Sequence, residues 1–471
     1  MHEAVSAATS TPSFWASLKE AVKGSHQDFT AGDLNRAIIL LAVPMVLEMV
    51  LESLFAVVDV FWVGRLGPDA IATIGLTESM LTLIFAVAIG LSMSTTAMVA
   101  RRIGEKDPEA AADAGVQAII LGIVISLLIG IPCFFAAPTL LRLMGADAQI
   151  VSTGSNYARI VLGANVAVLL LFLNNAIFRG AGDAAIAMRL LWISNIINLV
   201  LDPCLIFGLG PFPKLGVTGA ALATLTGRSI GVAYQFYRLL RGTERIRILR
   251  RQLRLHWSVM VRLMRVSITG ILQFAIAHTS WIGLMRIVSI FGASALAGYT
   301  IAIRIFIFFL LPSWGLSNAA ATLVGQNLGA KQPERAEKSV WRTGIYNMLF
   351  LGIVGVFLIL FAGPIIRLFT HDPAVAQLGT SALRIISFGN IGYAYGMVML
   401  QAFNGAGDTV TPTWINFFGF WLFEIPLAYW LALPMRMHAN GTFFAIVTAE
   451  AAIAAASIVI FRQGRWKQQR I

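Results

Sequence analysis

The residues that could do chemistry in this chain lie where polar groups are costly. From Ala37 to Gly67 the sequence reads AIILLAVPMVLEMVLESLFAVVDVFWVGRLG, an apolar run interrupted by the acids Glu48, Glu52 and Asp59. A helix advances about 100° per residue, so Glu52 falls about 40° and Asp59 about 20° from Glu48. All of them share one face. A charged acid at the bilayer centre costs about 2.5–3.5 kcal/mol on insertion scales, so this face must look into protein or a wet cavity. Pro44, near the start of the same helix, deletes a backbone hydrogen bond and supplies a hinge. A second polar face follows: Asn195, Asn198 and Asp202 are spaced i, i+3, i+7, just before Pro203. Thr224 lies in the next apolar segment, within GAALAT. Carboxylate, amide and hydroxyl oxygens are hard donors, suited to a small cation such as Na⁺ or to proton exchange. One reading joins Asp59, Asn198, Asp202 and Thr224 into a cation or proton site. The other pairs them structurally, with Arg228 or Arg304. Glu424, in WLFEIPLAYW beside Pro426, and His278 are further titratable residues in apolar segments. Each is open to a coupling or substrate role, or to a plain hydrogen bond between helices.

The elements that hold these residues follow from composition. The chain has 471 residues, 58% hydrophobic and 12% charged, against about 25% charged in soluble domains. It is therefore an integral membrane protein. Apolar segments of spanning length recur along it and short alternating strands do not, which predicts an all-α polytopic fold of twelve transmembrane helices. The net charge of +12 sits largely in alternate loops, and this is the positive-inside bias rather than a nucleic-acid footprint. It places both termini and the basic stretch from Arg238 to Trp257 in the cytoplasm of a cell whose plasma (inner) membrane holds the chain. Cys133 and Cys204 fall in apolar segments and imply neither a disulfide framework nor a metal site. Residues 1–30 lack the apolar core of a cleavable signal. Phe14, Trp15, Leu18 and Val22 read either as a short interfacial helix or as part of a cytoplasmic tail.

An internal repeat organises the chain. Gly104-Glu-Lys-Asp-Pro108-Glu109 matches Gly329-Ala-Lys-Gln-Pro333-Glu334, FRGAGD at 178–183 matches FNGAGD at 403–408, and Gly67 matches Gly292, all 225 residues apart. The expected layout is a tail (1–36), an N-lobe of spans 1–6 (37–240), a basic linker (241–257), a C-lobe of spans 7–12 (258–463) and a basic tail (464–471). The two pseudo-symmetric six-helix lobes run in the same orientation, and such parallel repeats place a substrate site between them near the midplane. The same offset carries Glu48 onto Gln273, Glu52 onto Ala277 and Asp59 onto Leu284. The acid face of the opening helix has no copy in the second half. Gly180-Ala-Gly182-Asp183 lacks the strand and lysine of a phosphate loop and reads as a repeat turn. With no nucleotide-binding, hydrolase or zinc motif, energy comes from an ion gradient or downhill flow, and no cofactor is expected.

Pro44, VVDVFWVGRLG, FRGAGD, NIINLVLDP and GAALATLTGR together resemble the MATE family of multidrug and toxic compound extrusion transporters, most nearly its DinF-like branch. The resemblance covers nearly the whole chain. It implies a two-lobed exporter, monomeric in its membrane, that exchanges H⁺ or Na⁺ for lipophilic, often cationic, small molecules by alternating access. The family's N-lobe cation site carries over onto Asp59, Asn198, Asp202 and Thr224. The NorM branch also has acids in spans seven and ten. Here the former region holds Gln273, Ala277 and His278, and span ten has no acid. The alternative within transport is a flippase of lipid-linked sugars or polysaccharide precursors, whose central cavities tend to be basic, against the acid face found here. A membrane-embedded transferase would need larger loops than this chain has.

Overall fold

The structure, a computed structural model, describes residues 14–25, 27–243, 245–469 and 471, with the side chains of residues 56, 57, 59 and 60 outside the description. A short α1 (Phe14–Lys23) precedes α2 (Leu34–Gly64), α3 (Pro68–Gly104), α4 (Pro108–Leu143), α5 (Ala148–Gly163), α6 (Asn165–Ala181), α7 (Ala184–Phe207) and α8 (Val217–Arg241). The second half holds α9 (Trp257–Ser289), α10 (Ala293–Gly329), α11 (Pro333–Arg367), α12 (Pro373–Phe388), α13 (Asn390–Ala406) and α14 (Val410–Asn416). A π-helical segment, Phe417–Glu424, then leads into α15 (Ile425–Ala432), and α16 (Ala439–Arg462) closes the bundle. The described residues form helices and turns and no strand, as the apolar pattern predicts.

Among the described residues ten segments are long and apolar enough to cross a membrane, which makes this a multi-pass membrane protein. The sequence reading expects twelve. The difference lies in α8 and the α12–α13 pair. The former carries Thr224, Thr226 and Arg228, and the latter Arg384, Asn390, Gln401 and Asn404, so their mean hydropathy falls. Both pack closely on more apolar partners, α8 on α7 and α12–α13 on α10. Protein rather than lipid covers much of their polar surface.

The repeat holds in backbone detail. Helices α3 and α10 are each 37 residues long, and α6 and α13 each 17, at the same offset. The turns match too: φ is +60° at Lys106 and +57° at Lys331, and +89° at Gly182 against +87° at Gly407. Two lysines held in the left-handed region, where non-glycine residues are uncommon, mark one turn built twice.

The lobes are pinned together at the side that carries the termini and the basic linker. A Cβ on Gly104 would lie 1.9 Å from the Gln326 carbonyl oxygen, and one on Gly329 would lie 2.1 Å from that of Arg101. Only glycine lets α3 and α10 approach so closely. Nearby, the hydroxyls of Ser94 and Ser267 are hydrogen-bonded at 2.7 Å across the lobes. The first turns of α2 bury Ala37, Ile38, Leu41 and Met45 against Ala319 and Leu323 of α10. Helix α2 runs unbroken through Pro44.

The terminal segments reinforce this side. Arg245 of the linker donates to the carbonyls of Ser25 (3.0 Å) and Gln27 (2.6 Å) and stacks over Phe29. Trp466 is fully buried and stacks on Phe461 at 4.6 Å, and Arg101 donates to the Gln469 carbonyl. The basic C-terminal stretch is thus docked in these contacts. Helix α1 exposes Phe14, Trp15 and Val22 and is tied to α2 by a Glu20–Arg36 ion pair at 2.6 Å.

Candidate functional site

A cavity of about 200 Å³ lies between the lobes, with walls from α2, α3, α6, α7, α8, α10 and α13. Met49, Met93, Phe172, Leu311 and Trp314 make much of its lining apolar. Its charged groups among the described residues are Glu48 and Glu52 from α2, Arg179 from α6 and Arg228 from α8. This form, a mostly apolar concavity with a few converging polar groups, is that of a small-molecule site.

Helix α2 delivers its acids to different partners. Glu48 is 1% exposed; its Oε1 accepts hydrogen bonds from Asn175 Nδ2 (3.2 Å) and an Arg179 guanidinium nitrogen (3.3 Å). Gln235 donates to Asn175 Oδ1 at 2.8 Å and holds that amide in place. A buried charge needs such a partner, because breaking a buried pair costs far more than making it gains. Glu52, one turn further, accepts from Asn195 Nδ2 at 3.3 Å and lies on the cavity wall. The side chain of Asp59 lies outside the described residues; its backbone is part of α2.

Helices α7 and α8 build the other polar centre. Asp202 is fully buried and Asn198 2% exposed. With its amide turned to satisfy both neighbours, Asn198 donates to Asp202 Oδ2 at 2.9 Å and its oxygen accepts from Thr224 Oγ1 at 3.0 Å. Gly227 permits this by leaving no side chain against the Asn198 Cβ, which a Cβ there would meet at 3.2 Å. Asn198, Asp202 and Thr224 therefore form one hydrogen-bonded chain of hard donors. Among the described residues there is no cluster of three or more His, Cys, Asp or Glu side chains fit for a metal ion. The oxygen set here suits a proton or a weakly held monovalent cation better than a tightly bound divalent one.

The remaining sequence candidates are elsewhere. Gln273 is 6% exposed, its Oε1 buried without a hydrogen-bond partner among the described residues. His278 is half-buried, its ring stacked between Phe274 and Trp281. Glu424 is buried in the C-lobe. None of the three lines the cavity. The alternative structural partners separate: Arg304 is exposed, while Arg228 lines the cavity and forms no ion pair among the described residues. Arg179, in the FRGAGD motif at the end of α6, turns its side chain back to Glu48. The signal was available, since Arg179 of FRGAGD becomes Asn404 in FNGAGD where Glu48 becomes Gln273. Sequence reasoning passed over Glu450, a lone acid in the apolar α16 that is 7% exposed.

Fold and cavity define a two-lobed membrane transporter, and comparison with known proteins gives its family. The MatE family model matches residues 44–204 and 271–430, more than half of the chain, once in each lobe. The chain belongs to this family. It is 26% identical over 439 residues to the probable multidrug resistance protein NorM of Thermotoga maritima, covering 93% of this chain and 94% of that one. It is 27% identical over 402 residues to a protein named FAD transporter of Shewanella oneidensis, covering 84% and 87%. A solved structure described as the outward-facing conformation of a multidrug resistance MATE family transporter superposes with a TM-score of 0.87 at 27% identity, covering 94% of this chain and 98% of that one.

Proposed function

We propose that this protein is a secondary active exporter that exchanges H⁺ or Na⁺ for lipophilic, often cationic, small molecules by alternating access of its lobes. The observation that carries the reading is the apolar interlobe cavity edged by Glu48 and Glu52, with the buried Asn198–Asp202–Thr224 chain in the same lobe. The coupling ion binds at Asp59, Asn198, Asp202 and Thr224. Its arrival neutralises the carboxylates and lets α2 pack differently about Pro44, which favours release of the compound. An ion can shift that balance only by its differential affinity for the two states. Asp59→Asn and Asp202→Asn act on one unit, so the double variant exports little worse than either single one. The chain works as a monomer in the inner membrane with both termini cytoplasmic, and no cofactor or enzymatic step is involved. Reporter fusions at Gly210 and Gly242 are expected on opposite sides.

The cavity also holds Arg179, paired with Glu48, and Arg228. Its acids are thus balanced by cations, so a cationic charge is favoured at Glu52 more than throughout the cavity. The test is dye efflux from inverted vesicles energised by a pH gradient alone, then by a Na⁺ gradient alone, with a cationic and an anionic probe in parallel. Efflux of the cationic dye under one gradient identifies the ion. Efflux under neither gradient overturns the exchanger reading, and transport of the anionic probe alone overturns the substrate class. Selective turnover of a lipid-linked sugar would favour the flippase alternative.

A further inference from the structure

The C-lobe carries its own pair of buried acids. Glu424 closes the π-helical segment and is 1% exposed; Glu450 lies in α16. Helix α16 packs on α13 and on the π-helical segment, and Glu450 interacts electrostatically with Glu424 and Tyr393. Both are buried in the lobe whose apolar core includes Tyr299, Phe306, Phe443 and Ile446. Glu424 Oε2 is buried with no hydrogen-bond partner among the described residues. The titratable groups facing the pair are Tyr299 of α10 and Tyr393 of α13. Helix α9 packs on α15, and its His278 is stacked between Phe274 and Trp281 of the same helix. No Lys, Arg or His forms an ion pair with either acid among the described residues.

The position of this pair follows from the repeat once the backbone is aligned by contacts. A Cβ on Gly219 would meet Leu205 and Ile206; one on Gly441 would meet Leu431 and Ala432. Leu431 therefore takes the place of Leu205, an offset of 226, and Gly441 that of Gly219, an offset of 222. The first offset exceeds 225 by one, and the π segment, with its wider turns, absorbs the extra residue. By these offsets Glu424 stands where Asn198 stands (424 − 226 = 198), and Glu450 where Arg228 stands (450 − 222 = 228).

We propose that Glu424, Glu450 and Tyr393 form a second ion-coupling site, in the C-lobe, that takes up and releases one proton as the lobes alternate. It occupies the pseudo-symmetric place of the N-lobe polar centre and lies on spans eleven and twelve, unlike the acids of spans seven and ten in the NorM branch. Two facing carboxylates in an apolar core without a cation cannot both carry charge, so they share a proton. The unpartnered Glu424 oxygen is where that proton, once bound, meets its second acceptor. Proton transfer alone is involved: water on one side supplies the proton to a carboxylate, and water on the other receives it. The proposal rests on the exchanger reading above.

The test uses the purified full-length chain. Infrared difference spectra between acid and alkaline buffer report the carbonyl stretch of protonated carboxyls. The wild type and Asp202→Asn are expected to share a titrating band that Glu424→Gln with Glu450→Gln removes and Tyr393→Phe moves along the pH axis. In proteoliposomes each single Glu→Gln variant is expected to lower pH-driven efflux about tenfold, within ordinary coupling strengths, with Glu450→Asp partly restoring it. Thermal unfolding of each variant checks that it folds. An unchanged band in the double variant overturns the proposal, and so does a band that Na⁺ abolishes at constant pH. Full efflux by the double variant beside a dead Asp202→Asn also overturns it and leaves the exchanger reading intact. Full efflux by Asp202→Asn with loss in the Glu variants overturns the N-lobe coupling assignment and supports the C-lobe site.

Discussion

The two lobes share a scaffold and divide its charge differently. Helices α3 and α10 have the same length and the turns after them the same unusual backbone angles. Yet Glu48 and Arg179, which form an ion pair at 3.3 Å, are replaced at the repeat offset by Gln273 and Asn404. Both partners are neutral together in the C-lobe, so neither is left as a lone buried charge. The C-lobe keeps its acids instead at Glu424 and Glu450, on helices whose N-lobe counterparts carry Asn198 and Arg228. The acid face of the opening helix has no copy in the C-lobe, whose buried acids stand on other helices. A duplicated scaffold constrains backbone contacts tightly and leaves the location of charge free, provided that charge remains paired or shared.

The comparison breaks first at the N-lobe centre. Asp202→Asn is expected to reduce gradient-driven efflux to the leak level while drug affinity in detergent stays within about tenfold, or about 1.4 kcal/mol. Asp59→Asn should match it. Full efflux by Asp202→Asn would remove the N-lobe centre from ion coupling.

Next in size is the ion pair. Arg179→Ala leaves Glu48 buried and uncompensated, and unfolding in detergent should register a loss of about 3–5 kcal/mol. Installing the C-lobe pair, Glu48→Gln with Arg179→Asn, should recover most of that loss. A double variant as unstable as Arg179→Ala would mean that Arg179 acts through packing rather than charge.

A smaller effect is expected at Thr224. Thr224→Val keeps the shape and removes the hydroxyl that donates to Asn198. One hydrogen bond is worth about 1 kcal/mol, so the ion concentration giving half-maximal efflux should rise about fivefold. No rise would remove Thr224 from the site.

Much of this was legible in the sequence. Glu48, Glu52, Asn195, Asn198 and Asp202 were exposed by helical spacing, because an acid in an apolar run has few tolerable places. The repeat was legible because its glycines and prolines serve turns that the backbone needs twice. What was not legible depended on reach and on register. A long arginine at a helix end can turn into the bundle, as Arg179 does, and no spacing rule gives the direction. The π segment at Phe417–Glu424 shifts register by one residue, so a constant offset cannot pair Glu424 with Asn198. Only backbone contacts, such as those of Gly219 and Gly441, restore the match. His278 reads as a titratable residue in an apolar segment, and its stacking on Phe274 and Trp281 depends on rotamers that the sequence does not state.

The smallest expected effect sharpens the comparison most directly. Gln273 occupies the place of Glu48, but it lies outside the cavity lining and its buried Oε1 has no hydrogen-bond partner among the described residues. Removing its amide therefore gives up no polar contact to that oxygen and takes away a group whose burial is itself costly. The loss of side-chain volume should lower stability modestly, while the transport cycle, which does not use this position, continues. Gln273→Ala is accordingly expected to keep efflux within about twofold of wild type, the scale of about 0.5 kcal/mol. Gln273→Glu should create no working site, because Asn404 stands where Arg179 would be needed to hold the charge. Efflux in proteoliposomes at matched protein density measures both. A loss in Gln273→Ala as deep as that of Asp202→Asn would place a coupling function at the first helix of the C-lobe, and the division of charge between the lobes would have to be redrawn.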